Sequence, residues 1–348
     1  VRLAEALRDQ AASCGRMGSP FMVDLLTLLA RHWPEGSALD ACCARFKGDI
    51  GPAGHSLPLR LAGGLHALVL SGRDPELKAC YPPQAPGTEA LRTALLAALA
   101  RHEPFLIDWM TSPPQTNEVR RSAALIAGAA VALAHVDRPL ELSELGASGG
   151  LNLLWDHFAL EAGGTRIGPA DPALTLRPEW RGPPPPAARP RIAAREGVDL
   201  NPLDPTDPAD LLRLTAYLWP DQPERLALTR AAAARASGPV TRGEAIDWLA
   251  ARLAQPRQGH LHLIQHTVAW QYFPEAAQAR GRALIEATGA RATPEAPLAW
   301  LSMESDGDRS GALGAALVLR LWPGDLHLAL GRADFHGRWI DWRWPPQS

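Results

Sequence analysis

Lysine is almost missing from this chain. Only Lys47 and Lys78 are lysine among 35 basic residues, and the rest are arginine. Together with abundant alanine and 33 prolines, this is a mark of GC-rich coding rather than of a function. Net charge is scarce too. A formal charge of −2 supplies no basic field to draw in nucleic acid or anionic lipid. Cysteine is limited to Cys14, Cys42, Cys43 and Cys80, all in the first quarter, with no CxxC or Cys/His spacing suited to zinc. That pattern fits free, semi-buried thiols in a reducing compartment. No long hydrophobic run is present. The longest, Ser122–Val136, is short beside the roughly 20 residues a membrane span needs, and "VRLAEALRDQ" has no apolar signal core. These absences predict a cytoplasmic protein with no nucleic acid, membrane or metal partner.

The 348 residues, 46% of them apolar, are enough for two domains or one large one with insertions. Residues 1–137 read as helical almost throughout. "PFMVDLLTLLARHW", "LPLRLAGGLHALVLSG" and "TEALRTALLAALARH" place apolar residues at helical spacing. Gly/Pro clusters such as "YPPQAPG" separate them. Pro113 and Pro114 stop one helix, and Thr116 is a candidate N-cap for the next, with Glu118 in its first turn.

After Asp137 the texture changes. "PLELSEL" predicts a short strand ending at a glycine turn, and "LNLLWDHFAL" a helix. Residues 162–192 are a Pro/Gly-rich insertion or flap, with a small hairpin around "ALTLRPEW". "RIAAREGVDLNPLD", "PVTRGEAIDWLAARLA" and "HLHLIQHTVAWQYFPEAAQARGRALIEATGA" each open on a strand, and helices are expected at 207–219 and 222–236. "PLAWLSMES" is a further strand, and "WPGD" separates two strand-like runs near the end. The expectation is an α/β fold: a mostly parallel doubly wound sheet with a C-terminal β-hairpin, preceded by an all-helical domain. The boundaries expected are 1–112 for the helical cap and 113–348 for the sheet domain.

"ELGASGGLN" carries the chemistry, and its letters allow two readings. Gly146–Gly150 fits G-x-S-x-G, the elbow that would present Ser148 as a hydrolase nucleophile. Against this, everything upstream reads as helix, so the turn follows the first strand. Alternatively, a glycine turn after a first parallel strand brings backbone N–H groups close to a ligand. A dinucleotide fingerprint is not matched, because Ser148 and Leu151 stand where glycines are needed. In either case Ser148 is also a candidate N-cap for the segment that follows.

Glu144-x-Gly146-x-Ser148-x-Gly150 resembles the E/D-x-G-x-G-x-G motif of class I S-adenosylmethionine-dependent methyltransferases, with serine at the middle glycine. The resemblance implies a Rossmann-like methyltransferase fold and S-adenosylmethionine as cofactor. It implies a cofactor shell of Glu144, Gly146, Ser148, Gly150 and Asn152. Asp199 would bind the ribose hydroxyls, Glu244 would sit in the adenine-contacting turn, and Gln265 at the fourth strand's end. Asp199 as an Asx-turn residue and Glu244 as a helix N-terminal acid are the plain alternatives. Candidate bases are His266, Glu118 and Glu304; Asn117, Thr267 and Tyr272 are candidate substrate contacts. Trp155, Trp270 and Tyr272 are candidates to line a sulfonium by cation–π contact. The helical domain and the flap would cover the cleft and select the acceptor. A fold of this kind that binds the cofactor or a nucleoside without catalysis is the alternative.

"QTNEVRR", "ELGASGGLNLLWD", "GVDLNPLD", "LWPDQPERL" and "GRWIDW" together resemble a bacterial family of uncharacterised proteins, the domain-of-unknown-function 2332 family. This resemblance covers most of residues 100–348 and, more loosely, the helical N-terminus.

Overall fold

In the computed structural model, which describes residues 2–52, 54–238, 240–307 and 313–345, the chain divides into two compact units. The first comprises Val1–Thr116 and Asp207–Ala227; the second comprises Asn117–Thr206 and Leu228–Ser348. Segment 207–227 therefore clusters with the helical unit, although in sequence it lies between strands of the sheet.

The regular elements of the first unit are all helices among its described residues, as its apolar spacing predicts. Helix Arg2–Arg16 packs along Pro20–Arg31, and Leu57–Leu70 packs on Pro208–Ala216. Ser19 caps its helix by accepting the Met22 N–H, with Pro20 at the first helical position where a missing N–H costs nothing. Leu25, Leu26, Leu61, Leu65 and Leu68 are fully buried in this core. Each contributes roughly 2 kcal/mol of apolar burial.

The second unit is built on a nine-stranded sheet. Its strands are β1 (Leu140–Leu145), β5 (Glu179–Arg181), β6 (Ile192–Asp199), β7 (Thr241–Arg242), β8 (Leu261–Thr267), β9 (Leu298–Glu304), β10 (Ala315–Trp322), β11 (Leu326–Ala333) and β12 (Trp339–Trp342). They run in the order β5-β12-β11-β10-β9-β8-β1-β6-β7. From β7 to β9 all neighbours are parallel, while β9 to β12 form an antiparallel meander. The "WPGD" hairpin joins β10 to β11 as expected. β1 is the first strand of the chain among the described residues.

Helices cover both faces of the sheet. Ser122–His135 packs on β9 and β10, and Gly128 is needed there because a Cβ would stand 2.5 Å from Leu301. On the other face Ile246 and Leu249 of helix Ala245–Leu253 and Ile285 of helix Glu275–Gly289 share a core with Leu145, Ile264 and Trp300.

Three local expectations need correction. "LNLLWDHFAL" is not one helix. Leu151–His157 is 3₁₀, and Phe158–Ala162 is a strand, β2. The hairpin of the insertion is not at "ALTLRPEW" but at Gly163-Gly164, joining β2 to β3 (Thr165–Ile167). Both glycines have positive φ, 57° and 78°, as a two-residue primed turn requires. β4 (Leu174–Leu176) completes this small sheet, whereas β5 joins the edge of the large one. Finally, Thr116 does not cap the segment after it. Glu118 does so, accepting the Arg120 N–H at the start of a 3₁₀ turn, Val119–Arg121.

Candidate functional site

β1 lies between β6 and β8, so the chain leaves it toward one side of the sheet and later returns on the other. In open α/β sheets ligands bind at the carboxyl ends of strands flanking such a reversal. Three segments meet there: the turn 146–150 after β1, Asp199 at the end of β6, and the turn 268–271 after β8.

The glycine turn alternates its backbone. Gly146, Ser148 and Gly150 have φ of 67°, 55° and 69°. Glycine is at home there, whereas serine stores strain on the order of 1 kcal/mol. Gly146 is also required by packing, since a Cβ would meet that of Ala269 at 2.5 Å. Most of the turn's N–H groups are already satisfied by the protein. Ala147 donates to the Val198 carbonyl (3.0 Å), Ser148 to Asp199 Oδ2 (2.9 Å), Gly150 to the Ala147 carbonyl (2.8 Å) and Leu151 to Asn117 Oδ1 (2.8 Å). A backbone cradle for a pyrophosphate is not offered.

Glu144 stands out beneath this turn. It is 2% exposed, and its Oε2 has no hydrogen-bond partner. Burial pushes its carboxyl up to about 8, with Asp199 adding to the rise while the Gln265 hydrogen bond and the charge of Arg121 oppose it. Gln265 is held in turn: its Oε1 accepts from Trp155 Nε1 (3.0 Å). The Ser148 hydroxyl is likewise buried without a partner. No histidine bonds to it among the described residues, so a nucleophile–base pair is not formed. Nor does it cap the following segment, where Gly150 occupies the cap position.

Asn117 and Asn152 act as clamps. Besides Asn117 holding Leu151, Asn152 Oδ1 accepts from Ser122 Oγ (2.7 Å), and Asn152 Nδ2 donates to the Glu118 carbonyl (3.4 Å). Glu118 is 2% exposed and pairs with Arg120 at 3.2 Å. Asn117, Glu118 and Asn152 are thus engaged in holding the turn rather than standing open to substrate.

His266 and Glu304, expected as candidate bases, are bound to each other. His266 Nδ1 donates to Glu304 Oε1 at 2.7 Å, while its Nε2 accepts from Trp300 Nε1 at 2.8 Å. The ring is 1% exposed and stacks on Trp270. Neither nitrogen is free to take a proton from a substrate. Glu304 Oε1 also accepts from the N–H groups of Ala269 (2.9 Å) and Trp270 (3.1 Å). Burial alone would raise this carboxyl, but the His266 hydrogen bond and these two N–H groups hold it below its ordinary value. The pair pins the turn after β8, where Val268 sits at φ 53°, an outlier for a β-branched residue.

The other expected residues fall as follows. Asp199 Oδ1 accepts the Asn201 N–H (2.8 Å), the Asx turn, while Oδ2 holds Ser148. Glu244 is the N-cap of Ala245–Leu253 and pairs with Arg280 at 2.9 Å, the plain helix-capping role. The Thr267 carbonyl accepts from Arg121, and its side chain is buried. Tyr272 is 69% exposed, and Trp155 and Trp270 are buried in packing, so none of the three lines a closed aromatic pocket. On the opposite face of the sheet Ser143 meets His262 Nε2 at 2.8 Å and Arg252 Nε at 3.2 Å. No sequence signal marked that network. Burial, with Arg252 and Arg257, pushes His262 down to about 3, which keeps it neutral and structural.

Among the described residues no cluster of three His, Cys, Asp or Glu is placed to hold a metal ion, and no helix is long and apolar enough to cross a membrane. No curated protein and no solved structure matches the chain. One family model does, over residues 4–342, and the chain belongs to that family, described as an uncharacterized protein conserved in bacteria (DUF2332).

Proposed function

We propose that the turn after β1 binds S-adenosylmethionine and that the protein is a methyltransferase acting on a small molecule. One observation carries the reading: Glu144, buried near the carboxyl end of β1 with an oxygen lacking any hydrogen-bond partner. An uncompensated buried carboxyl calls for a cationic or donating ligand group. The α-ammonium of S-adenosylmethionine is such a group. The strand order supports the reading, since the parallel strands run third-second-first-fourth-fifth in chain order, a doubly wound arrangement. So does the engagement of most of the turn's N–H groups within the protein, which leaves little for a pyrophosphate, a group this cofactor does not have. The meander after β9 is where the topology goes its own way.

Glu144 would hold the ammonium, and Asp199, at the next strand's end, the ribose hydroxyls. The bound cofactor supplies an activated methyl on its sulfonium. The protein then contributes alignment and exclusion of water, and alignment alone is worth on the order of 7–11 kcal/mol. Glu118, His266 and Glu304 are all engaged in structural hydrogen bonds. The acceptor is therefore one that needs no general base, such as a thiolate, a carboxylate or a neutral amine. The same engagement favours a second reading, in which the cofactor is bound without transfer. Titration calorimetry with S-adenosylmethionine and S-adenosylhomocysteine tests the first step. One site per chain is expected for both, and no heat with either removes both readings. Incubation with methyl-labelled cofactor and a mixture of small thiols, carboxylates and amines then separates transfer from binding.

A further inference from the structure

The helical unit holds a polar cluster that the glycine turn does not use. The Trp109 indole N–H and the Tyr217 hydroxyl are both buried without a hydrogen-bond partner, in side chains only 4% and 7% exposed. Their ring centroids lie 6.0 Å apart. The Arg213 guanidinium carbon is 4.3 Å from the Trp109 ring centroid, and Nη1 lies 3.5 Å from the Trp109 carbonyl. The Tyr217 hydroxyl neighbours both the Trp109 indole and Arg213, and it feels the charges of Arg213 and Arg60. Arg60 is 6% exposed and is fixed by the carbonyls of His55 (2.8 Å) and Met110 (2.7 Å).

The sequence is shaped to seat these groups. Helix Leu57–Leu70 carries Gly63 and Gly64 in its interior, where glycine is less favourable than alanine. A Cβ at Gly63 would stand 2.4 Å from Tyr217 Cε1, and one at Gly64 would stand 2.9 Å from Leu106 and 3.1 Å from Trp109 Cδ1. The two rings thus rest against the helix backbone one turn beyond Arg60. Each buried donor left unpaired adds to that cost. Packing alone would be served better by phenylalanine at both positions.

We propose that Arg60, Trp109, Arg213 and Tyr217 form a binding site for an oxyanion, the carboxylate or phosphoryl group of a small molecule. The chemistry of the set selects the ligand. Indole and guanidinium groups only donate. Burial keeps the Tyr217 phenol protonated and able to donate, raising it above its ordinary value although the nearby Arg213, Trp109 indole and Arg60 pull the other way. Neither Arg60 nor Arg213 has a carboxylate partner among the described residues. A cation would be repelled, and a water would leave both charges uncompensated. An anion with several acceptor sites satisfies all four groups. The proposal is independent of the cofactor reading and stands or falls separately from it.

The test is titration calorimetry of the full chain with inorganic phosphate, acetate and sodium chloride. Phosphate or acetate is expected to bind once per chain while chloride gives no comparable site; which of the two binds more tightly assigns the phosphoryl or the carboxylate. Arg213→Gln, a change at a half-exposed side chain that leaves the core intact, should weaken binding at least about tenfold. Trp109→Phe and Tyr217→Phe keep the rings packed and should each weaken it several-fold, while thermal stability is kept or rises because an unpaired buried donor is gone. Absence of binding by both oxyanions, or binding unchanged in Arg213→Gln, overturns the proposal.

Discussion

Two glutamates stand at the ends of strands in the same sheet, both largely buried, and they behave in opposite ways. Glu304, closing β9, receives His266 and two backbone N–H groups on one oxygen, and its carboxyl is held below the ordinary range. Glu144, near the end of β1, shares a hydrogen bond with Gln265, keeps an oxygen without a partner and is pushed up to about 8. Burial is common to both. What differs is the supply of donors. Glu304 is a structural group because the chain brings donors to it; the chain brings Glu144 too few, and the proposed cofactor would supply the missing one.

The comparison is sharpest in its pH dependence. The Glu144 carboxyl rises from 4.5 to about 8 on folding, so between those values the folded chain holds a proton that the unfolded chain has lost. Stability from this group is complete below pH 4.5 and is lost as pH rises through about 8. The effect is on the order of 4 kcal/mol. Urea unfolding of wild type and Glu144→Gln from pH 4.5 to 9 should show the difference growing in favour of the variant. Parallel curves would show that Glu144 is not buried and unpaired. Glu304 has the reverse sign: its contribution is present above the ordinary glutamate range and lost as pH falls through its lowered value.

Glu304→Ala leaves the His266 Nδ1–H and two backbone N–H groups without an acceptor and should cost about 3 kcal/mol, measured by urea unfolding at pH 7. A loss below about 1 kcal/mol would mean that water replaces the carboxylate freely. Asn117→Ala, which removes the acceptor from the Leu151 N–H, should cost about 1–2 kcal/mol and weaken cofactor binding more than it lowers Tm. Smallest is Ser148→Gly. It relieves a positive φ and removes a buried hydroxyl that lacks a partner, so a gain of about 1 kcal/mol is expected in thermal unfolding. A loss instead would mean that the serine hydroxyl has a structural partner.

What the sequence made legible follows from where the information lies. β1, β6, β8 and β9 are short runs rich in apolar residues beside turn signals, and the glycine turn carries its own letters. The helical unit showed itself by spacing alone. Leu151–His157 misled because Leu151 and Trp155 suit the start of an α-helix as well as a 3₁₀ one. Gly163-Gly164 was a hairpin signal hidden inside a stretch that reads as a flexible insertion. The site residues were harder for a different reason. Asn117 meets Leu151 across 34 residues, and His266 meets Glu304 across 38. Such pairings are set by strand order and register, so a histidine that looks like a base turns out to be a strut. The four-residue set in the helical unit was invisible for the same reason, although the Gly63-Gly64 pair in its helix was an available clue.

The central claim is that Glu144 receives the cation of S-adenosylmethionine, and proton release on binding tests it most directly. At pH 7 the free carboxyl is mostly protonated, and an ammonium placed against it would expel that proton. Calorimetric titration in two buffers of different ionisation enthalpy should give close to one proton released per cofactor bound in wild type. Glu144→Gln should bind more weakly and release none. Binding of equal strength by both proteins, with no release from wild type, would contradict the account.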